Sequence, residues 1–234
     1  MTGKTLSLDD IVLGVLVPVA PMSSTSYLVV SAIKKLILPP KWFIHIHTGT
    51  TLDVARRYLV KCALEDGATH ILFLDSDIIP VYVDSVIKLL SWRLPIVSGV
   101  YYSKRMDGLC AYKYDSKSGK YKPIKLEDIP KGVRLVEVDA VGLGFCLIEA
   151  GVFEKIPEEE WFRWRLMPST KKSRGGYILD NGRIDTSRRG ISEDIYFCET
   201  LRKYGFKIFI DLGVPCRHIA RVIIEPNGKI VPCI

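Results

Sequence analysis

No two cysteines of this chain stand in CxxC spacing, which argues against a structural zinc site. No apolar run is long enough to span a bilayer. The best candidate, Ile11 to Ala20, is short and contains Pro18. Asp9 and Asp10 precede it, where a signal peptide would carry positive charge, so the stretch reads as a first buried strand. No internal repeat is visible. RRM, zinc-finger and helix-turn-helix signatures are all missing, so a nucleic-acid partner is not expected. The six cysteines (Cys62, Cys110, Cys146, Cys198, Cys216, Cys233) are scattered, several in apolar contexts where a free thiol acts as a small hydrophobe. A reducing cytoplasm is the simpler inference, with an oxidising compartment left open.

What is present is ordinary globular material. With 234 residues, 48% of them hydrophobic, the chain can build one large α/β domain or two small ones. A formal net charge of +7 favours an anionic partner: nucleotide phosphates, nucleic acid or an acidic membrane surface. Plain solubility is the alternative.

Residues 11–17 read as the first strand, with Pro18, Pro21, Ser23 and Ser24 in the loop after it. A helix is expected from Ser24 to Ile37, capped by Ser23 or Ser24 and stopped by Pro39-Pro40. Trp42 to His47 is a second strand. Leu52 to Glu65 carries Leu52, Ala55, Leu59, Cys62 and Ala63 at helical spacing, with Gly67 as the cap. His70 to Leu74 is a buried strand, Val81 to Trp92 a helix, and Pro95 to Tyr101 another strand. Such alternation implies a mostly parallel sheet covered by helices. After about residue 103 the pattern changes to polar hairpins over 104–134 and apolar character from Leu135 to Ile148. A basic, glycine-rich loop spans 167–190, with Lys171, Lys172, Arg174, Arg188 and Arg189 as its charges. A helix from Ser192 to Tyr204 and strands near 206–210 and 214–219 follow. Asn227-Gly228 signals a closing hairpin.

The chemistry centres on THILFLDSDIIP, residues 69–80. Two carboxylates at the end of a buried strand cannot both be packed unpaired. In an extended segment alternate residues face one way, so Asp75 and Asp77 can converge on one hard divalent ion, magnesium or manganese. Ligands of open α/β sheets bind beyond the carboxyl ends of strands. The plain alternative is a turn, since Asp and Ser are turn formers and Pro80 follows. Glu193 and Asp194 form a second acidic pair behind Ser192, where helix capping is a sufficient explanation. His218 ends a late strand and can complete a site begun by carboxylates. His45 and His47, alternating on the second strand, are a competing pair. Trp161, Phe162 and Trp164 are either sugar-stacking faces or core.

The ordered set resembles the GT-A glycosyltransferases, particularly the family 2-like enzymes. The matching segments are ARRYLVKCALEDGATHILFLDSDIIP, VDAVGLGFCLIEAGVFEKI and ISEDIYFCETLRKYGFKIFIDLGVPCRHI, and the likeness spans roughly residues 10–220. It implies a single GT-A domain with a donor half to about 103 and an acceptor half to about 220, followed by a hairpin or tail over 221–234. Asp75 and Asp77 match the metal and sugar-nucleotide motif, and His218 matches a further metal ligand. Asp194 matches the catalytic base of inverting members, with Glu193 orienting acceptor or base. Arg56 matches a basic position on the nucleotide, and Arg57 stands where the family often has Asn. Pro18, after the first strand, falls to the donor site. Gly142 and Gly144 match a loop where acceptor and donor sugar approach, and Trp161 and Trp164 lie in the acceptor region. A UDP- or GDP-sugar donor, a manganese or magnesium ion, and a glycan, lipid or protein hydroxyl acceptor are implied. Peripheral membrane contact through the basic surface is left open.

Three rivals remain at this point. A haloacid dehalogenase-like phosphohydrolase would use Asp75 as a covalent nucleophile, but Ile79 stands where that family has a small residue or Thr. A sugar-phosphate nucleotidyltransferase would need a glycine-rich, arginine-bearing loop that VLVPVAPMSS lacks. A non-catalytic nucleotide-binding protein is the third.

Overall fold

A computed structural model describes residues 7–19, 31–104, 107–165 and 191–220, and the backbone of 222–224 and 230–232. In chain order the elements are β1 (Val12–Val19), β2 (Lys41–Thr48), α1 (Leu52–Glu65), β3 (His70–Leu74), β4 (Ile78–Pro80), α2 (Ser85–Ser91) and β5 (Ile96–Val100). There follow β6 (Ala111–Asp115), β7 (Lys120–Pro123), β8 (Leu135–Val138), β9 (Ala140–Val141), β10 (Phe145–Glu149), α3 (Ala150–Glu154), α4 (Glu193–Lys203), β11 (Ile208–His218), β12 (Val222–Ile224) and β13 (Ile230–Pro232).

The class is mixed α/β. The central sheet runs β2-β1-β3-β10-β5-β11-β4, with β8 on the other side of β11. Strands β2, β1, β3, β5 and β11 point one way; β10, β8 and β4 point the other. Most strands are thus parallel in direction, but β10 is wedged antiparallel between β3 and β5. Helices cover the faces. Strand β3 is buried on both sides, and that is why it reads as an unbroken apolar run. Ile71 and Phe73 enter one core layer, while Leu72 and Leu74 enter the other. Helix α1 turns Ala55, Leu59, Val60 and Ala63 inward, and Gly67, at φ +76°, ends it in a conformation that favours glycine.

Several expectations need correction. Pro18 is not in a loop: it is the seventh residue of β1, opposite His47. The β3 ladder on β1 ends at Leu16, so the proline stands where the strand has one neighbour. The helix expected from Val81 begins only at Ser85. The intervening backbone is committed elsewhere: Val81 N–H donates to the Pro215 carbonyl (3.0 Å) and Ile37 N–H to the Val83 carbonyl (2.7 Å). The two strands expected near 206–219 are one strand, β11, with an irregularity between Ile210 and Pro215. The helix expected over 24–37 falls mostly outside the described residues, which pick it up at 31–33. The basic loop at 167–190 and Cys233 lie outside them as well. The hairpins are present: β6 pairs with β7, and β12 with β13.

The irregularity in β11 is clamped by a buried carboxylate. Asp211 accepts from Arg134 Nε and Nη2 (both 2.9 Å), from Trp92 Nε1 (2.8 Å) and from the Gly213 N–H (2.8 Å). Burial pushes its carboxyl up, but Arg134, Trp92 and Gly213 outweigh burial and hold it below the usual range. Its stabilisation is therefore present at neutral pH and is lost as pH falls through that depressed value. Asp211→Asn is expected to lose about 1–3 kcal/mol of stability, read by denaturant melts at pH 7.

Candidate functional site

The carboxyl ends of β1, β3 and β5 share one edge of the sheet, and the segments from the second half of the chain arrive there too. The Asp75 N–H donates to the Gly144 carbonyl at 2.9 Å, tying the end of β3 to the glycine segment before β10. The Ile219 N–H donates to the Asp77 carbonyl at 2.8 Å, tying the same stretch to the end of β11. Between them, Ile78 N–H closes back on the Asp75 carbonyl at 3.0 Å. Residues 75–78 are thus a turn. The alternation rule for extended chain does not apply, and the two aspartates do not converge on one point.

Asp75 turns inward onto Arg56. Arg56 is 1% exposed, and its Nη2 lies 3.1 Å from Asp75 Oδ2 and 3.0 Å from Oδ1. Its Nε reaches Glu193 Oε1 at 3.4 Å, and its guanidinium lies over the Phe73 ring at 5.2 Å. One buried cation thus joins helix α1, the end of β3 and the start of α4. Burial alone would push Arg56 down, but Asp75, Glu193 and Asp194 outweigh it and keep the guanidinium charged. Burial pushes Asp75 up against the pull of Arg56. Burial, and then Asp194, push Glu193 up to about 7.

Asp77 turns outward. Its Oδ2 lies 2.5 Å from Lys104 Nζ and 3.6 Å from His218 Nε2. Burial pushes the Asp77 carboxyl up, but His218 and Lys104 outweigh it and hold it below the usual range. The His218 Nδ1 lies 2.8 Å from the Tyr102 carbonyl, which can only accept. That contact puts a proton on Nδ1 and leaves Nε2 facing Asp77.

Asp194 stands in the first turn of α4 behind Ser192. The serine holds the N-cap position, but its hydroxyl donates to Asp194 Oδ1 instead of capping the helix. Oδ1 also accepts from the Ile195 N–H at 2.7 Å. Both bonds fall on one oxygen, leaving Oδ2 for another partner.

Of the residues expected to carry the chemistry of metal, base and nucleotide, Asp75, Glu193 and Asp194 therefore meet around Arg56 by charge, while Asp77 turns to Lys104 and His218. The metal trio Asp75, Asp77 and His218 does not assemble as expected, because Arg56 takes Asp75. No group of three or more His, Cys, Asp or Glu side chains among the described residues is arranged to hold a metal. The glycines serve a different neighbour as well. A side chain at Gly142 or Gly144 would meet the Tyr101 hydroxyl at 2.5 or 2.7 Å, and that hydroxyl accepts from the Gly144 N–H at 2.9 Å. Their small size makes room for Tyr101, whose ring stands edge-on to His218.

Trp161 is core, not a sugar platform: it is 5% exposed, packs edge-on against Phe153 and donates from Nε1 to the Ile156 carbonyl. Trp164 is exposed. Arg57 Nη2 donates to the Trp161 carbonyl at 3.0 Å, a fixed structural contact for the residue that departs from the expected Asn. Pro18 stays within β1, opposite His47, and is not part of this cluster. His45 and His47 have separate partners, Asp66 and Thr50, and form no joint site. An apolar cleft between the β6–β7 hairpin and β8, lined by Pro123, Ile124, Ile129 and Leu135, shares no residue with the site.

Reading the sequence passed over Tyr101 and Lys104. Both follow directly from β5, and the rule about strand ends that singled out Asp75 and Asp77 applies equally to β5. It also passed over a cluster of unmet polar demand. The buried side-chain atoms without a hydrogen-bond partner among the described residues are Asp53 Oδ1, Arg56 Nη1, Arg57 Nε and Asp75 Oδ1. All belong to the first two turns of α1 or to Asp75, which Arg56 faces.

Comparison with known proteins adds the fold. No family model matches the chain, and no curated protein matches it. Among solved structures it is similar to the crystal structure of A197 from STIV, with a TM-score of 0.53 and 20% identity over 93% of each chain. At that identity the likeness shows a shared fold and nothing about activity. No described helix is long and apolar enough to cross a membrane.

Proposed function

We propose that the chain is a metal-dependent glycosyltransferase of the GT-A type, moving a sugar from a nucleotide-diphosphate donor to a hydroxyl acceptor with inversion. The observation that carries this reading is a single sheet edge on which Asp75 and Asp194 gather by charge around a buried Arg56, one of whose nitrogens has no partner among the described residues, while the next turn residue, Asp77, faces His218. A buried guanidinium N–H with no partner among the described residues suits a ligand that offers an acceptor. A nucleoside diphosphate offers several.

The metal fits part of the expected set. Asp77 Oδ2 and His218 Nε2 face one another, a hard oxygen and an imidazole nitrogen suited to manganese or magnesium. Asp75 is left to the nucleoside side of the ligand. Bound there, the ion supplies Lewis-acid neutralisation of the departing diphosphate. Arg56 adds a fixed positive charge that costs no reorganisation. Asp194 Oδ2 takes the proton of the attacking hydroxyl, while Ser192 and the Ile195 N–H hold its other oxygen. Glu193, held by Arg56 and 3% exposed, orients the pair and does not reach an acceptor itself. The phosphohydrolase reading is disfavoured by the same geometry, because Asp75 is engaged with Arg56 and not presented as a free nucleophile.

The test is calorimetric titration of UDP and GDP, then their sugar conjugates, with and without manganese. One diphosphate is expected to bind in a manganese-dependent way, and Asp77→Ala is expected to lose the manganese increment. A folded wild-type protein that binds no nucleotide would sink the transferase reading.

A further inference from the structure

Asp77 Oδ2 and His218 Nε2 face each other at 3.6 Å. The Asp77 carboxylate attracts a cation. The protein provides one. The Lys104 ammonium lies 2.5 Å from the same carboxylate oxygen. It is delivered by a tight turn after β5, where Tyr102 bridges to Leu109 and the Ser103 N–H donates to the Gly108 carbonyl at 2.9 Å. Within the same turn Ser103 Oγ bonds Asp107. The lysine side chain reaches Asp77 while 46% exposed to solvent.

We infer that Lys104 is a built-in cation that holds the Asp77–His218 subsite in the donor-free protein and must leave Asp77 for a divalent ion to bind there. The inference rests on the reading of Asp77 and His218 as a metal subsite. A lysine is a compact, mobile point charge that binds phosphate well. The diphosphate of a nucleotide ligand gives the displaced ammonium a new partner within the same site. Metal and diphosphate then bind cooperatively: the diphosphate draws Lys104 off Asp77, and the ion takes its place. By reciprocity, each raises the other's affinity by the same factor.

The experiment titrates manganese alone and follows the free-ion electron paramagnetic resonance signal. Wild type, Lys104→Met, Lys104→Arg and the Lys104→Met/Asp77→Asn double variant are compared, with matching thermal melts to verify folding. Lys104→Met is expected to bind manganese roughly tenfold or more tightly than wild type, the scale by which an opposite charge at this range shifts a carboxylate's equilibrium. Lys104→Arg keeps the cation and should stay near wild type, and the double variant should lose the gain. Adding UDP or GDP should raise manganese affinity more in wild type than in Lys104→Met. If wild type and Lys104→Met bind manganese equally through Asp77, the role of Lys104 is overturned and the metal subsite stands. If neither binds manganese, the metal subsite itself is overturned, and the inference with it.

Discussion

Asp194→Asn is expected to lower sugar transfer by about 10²–10⁴-fold while leaving manganese-dependent donor binding at the wild-type level. The amide keeps the shape of the carboxylate, and its oxygen can still accept from Ser192 and the Ile195 N–H. It cannot take a proton from an acceptor hydroxyl at neutral pH. The split between binding and turnover identifies the base. A variant that binds donor and transfers normally would remove Asp194 from the mechanism, and one that loses donor binding as well would make it a structural residue. Cys110, near Asp194, offers no substitute base or nucleophile, because burial and then Asp194 push its thiol up to about 12.

Arg56→Met is expected to destabilise the fold by about 3 kcal/mol, because buried Glu193 and half-buried Asp75 lose their shared cation. The loss should shrink as pH falls and Asp75 and Glu193 take up protons. Equilibrium denaturation at pH 5 and pH 8 reads this difference. The wild type carries a milder form of the same dependence. Glu193 is pushed up to about 7 by burial and then by Asp194, so the folded state holds a proton that the unfolded state has released. Its contribution to stability is fully present below its unfolded value near 4.5 and is lost as pH rises through about 7. The span is on the order of 2–3 kcal/mol. Glu193→Gln removes this slope, and a variant that kept it would assign the slope to another group.

Local signals in the sequence located most of the elements. The apolar spacing of α1 and the glycine after it set that helix correctly at both ends, because its burial pattern and its cap are written within one short segment. The end of β3, the start of α4 and the end of β11 were equally legible, and with them the positions of Asp75, Asp77, Asp194 and His218 in the chain. What could not be read was which of them face each other. The divergence of Asp75 from Asp77 depends on a turn hydrogen bond and on Arg56, a helix away. The extended path of Val81 to Val83 depends on carbonyl and amide partners at Pro215 and Ile37. The purpose of Gly142 and Gly144 depends on a tyrosine some forty residues earlier. Trp161 could stack on a sugar or join the core, and only packing could choose between them.

The wedging of β10 between β3 and β5 also bears on how the protein is made. During synthesis, β3 and β5 emerge long before the strand that must lie between them. Until residue 149 has been released, each presents a hydrophobic flank with open backbone groups. The first hundred residues therefore cannot close their own sheet, and a fragment cut near residue 103 is expected to aggregate rather than fold. Docking of β10 brings Gly144 onto the Asp75 N–H. Completion of the sheet and assembly of the site are in that sense a single late event.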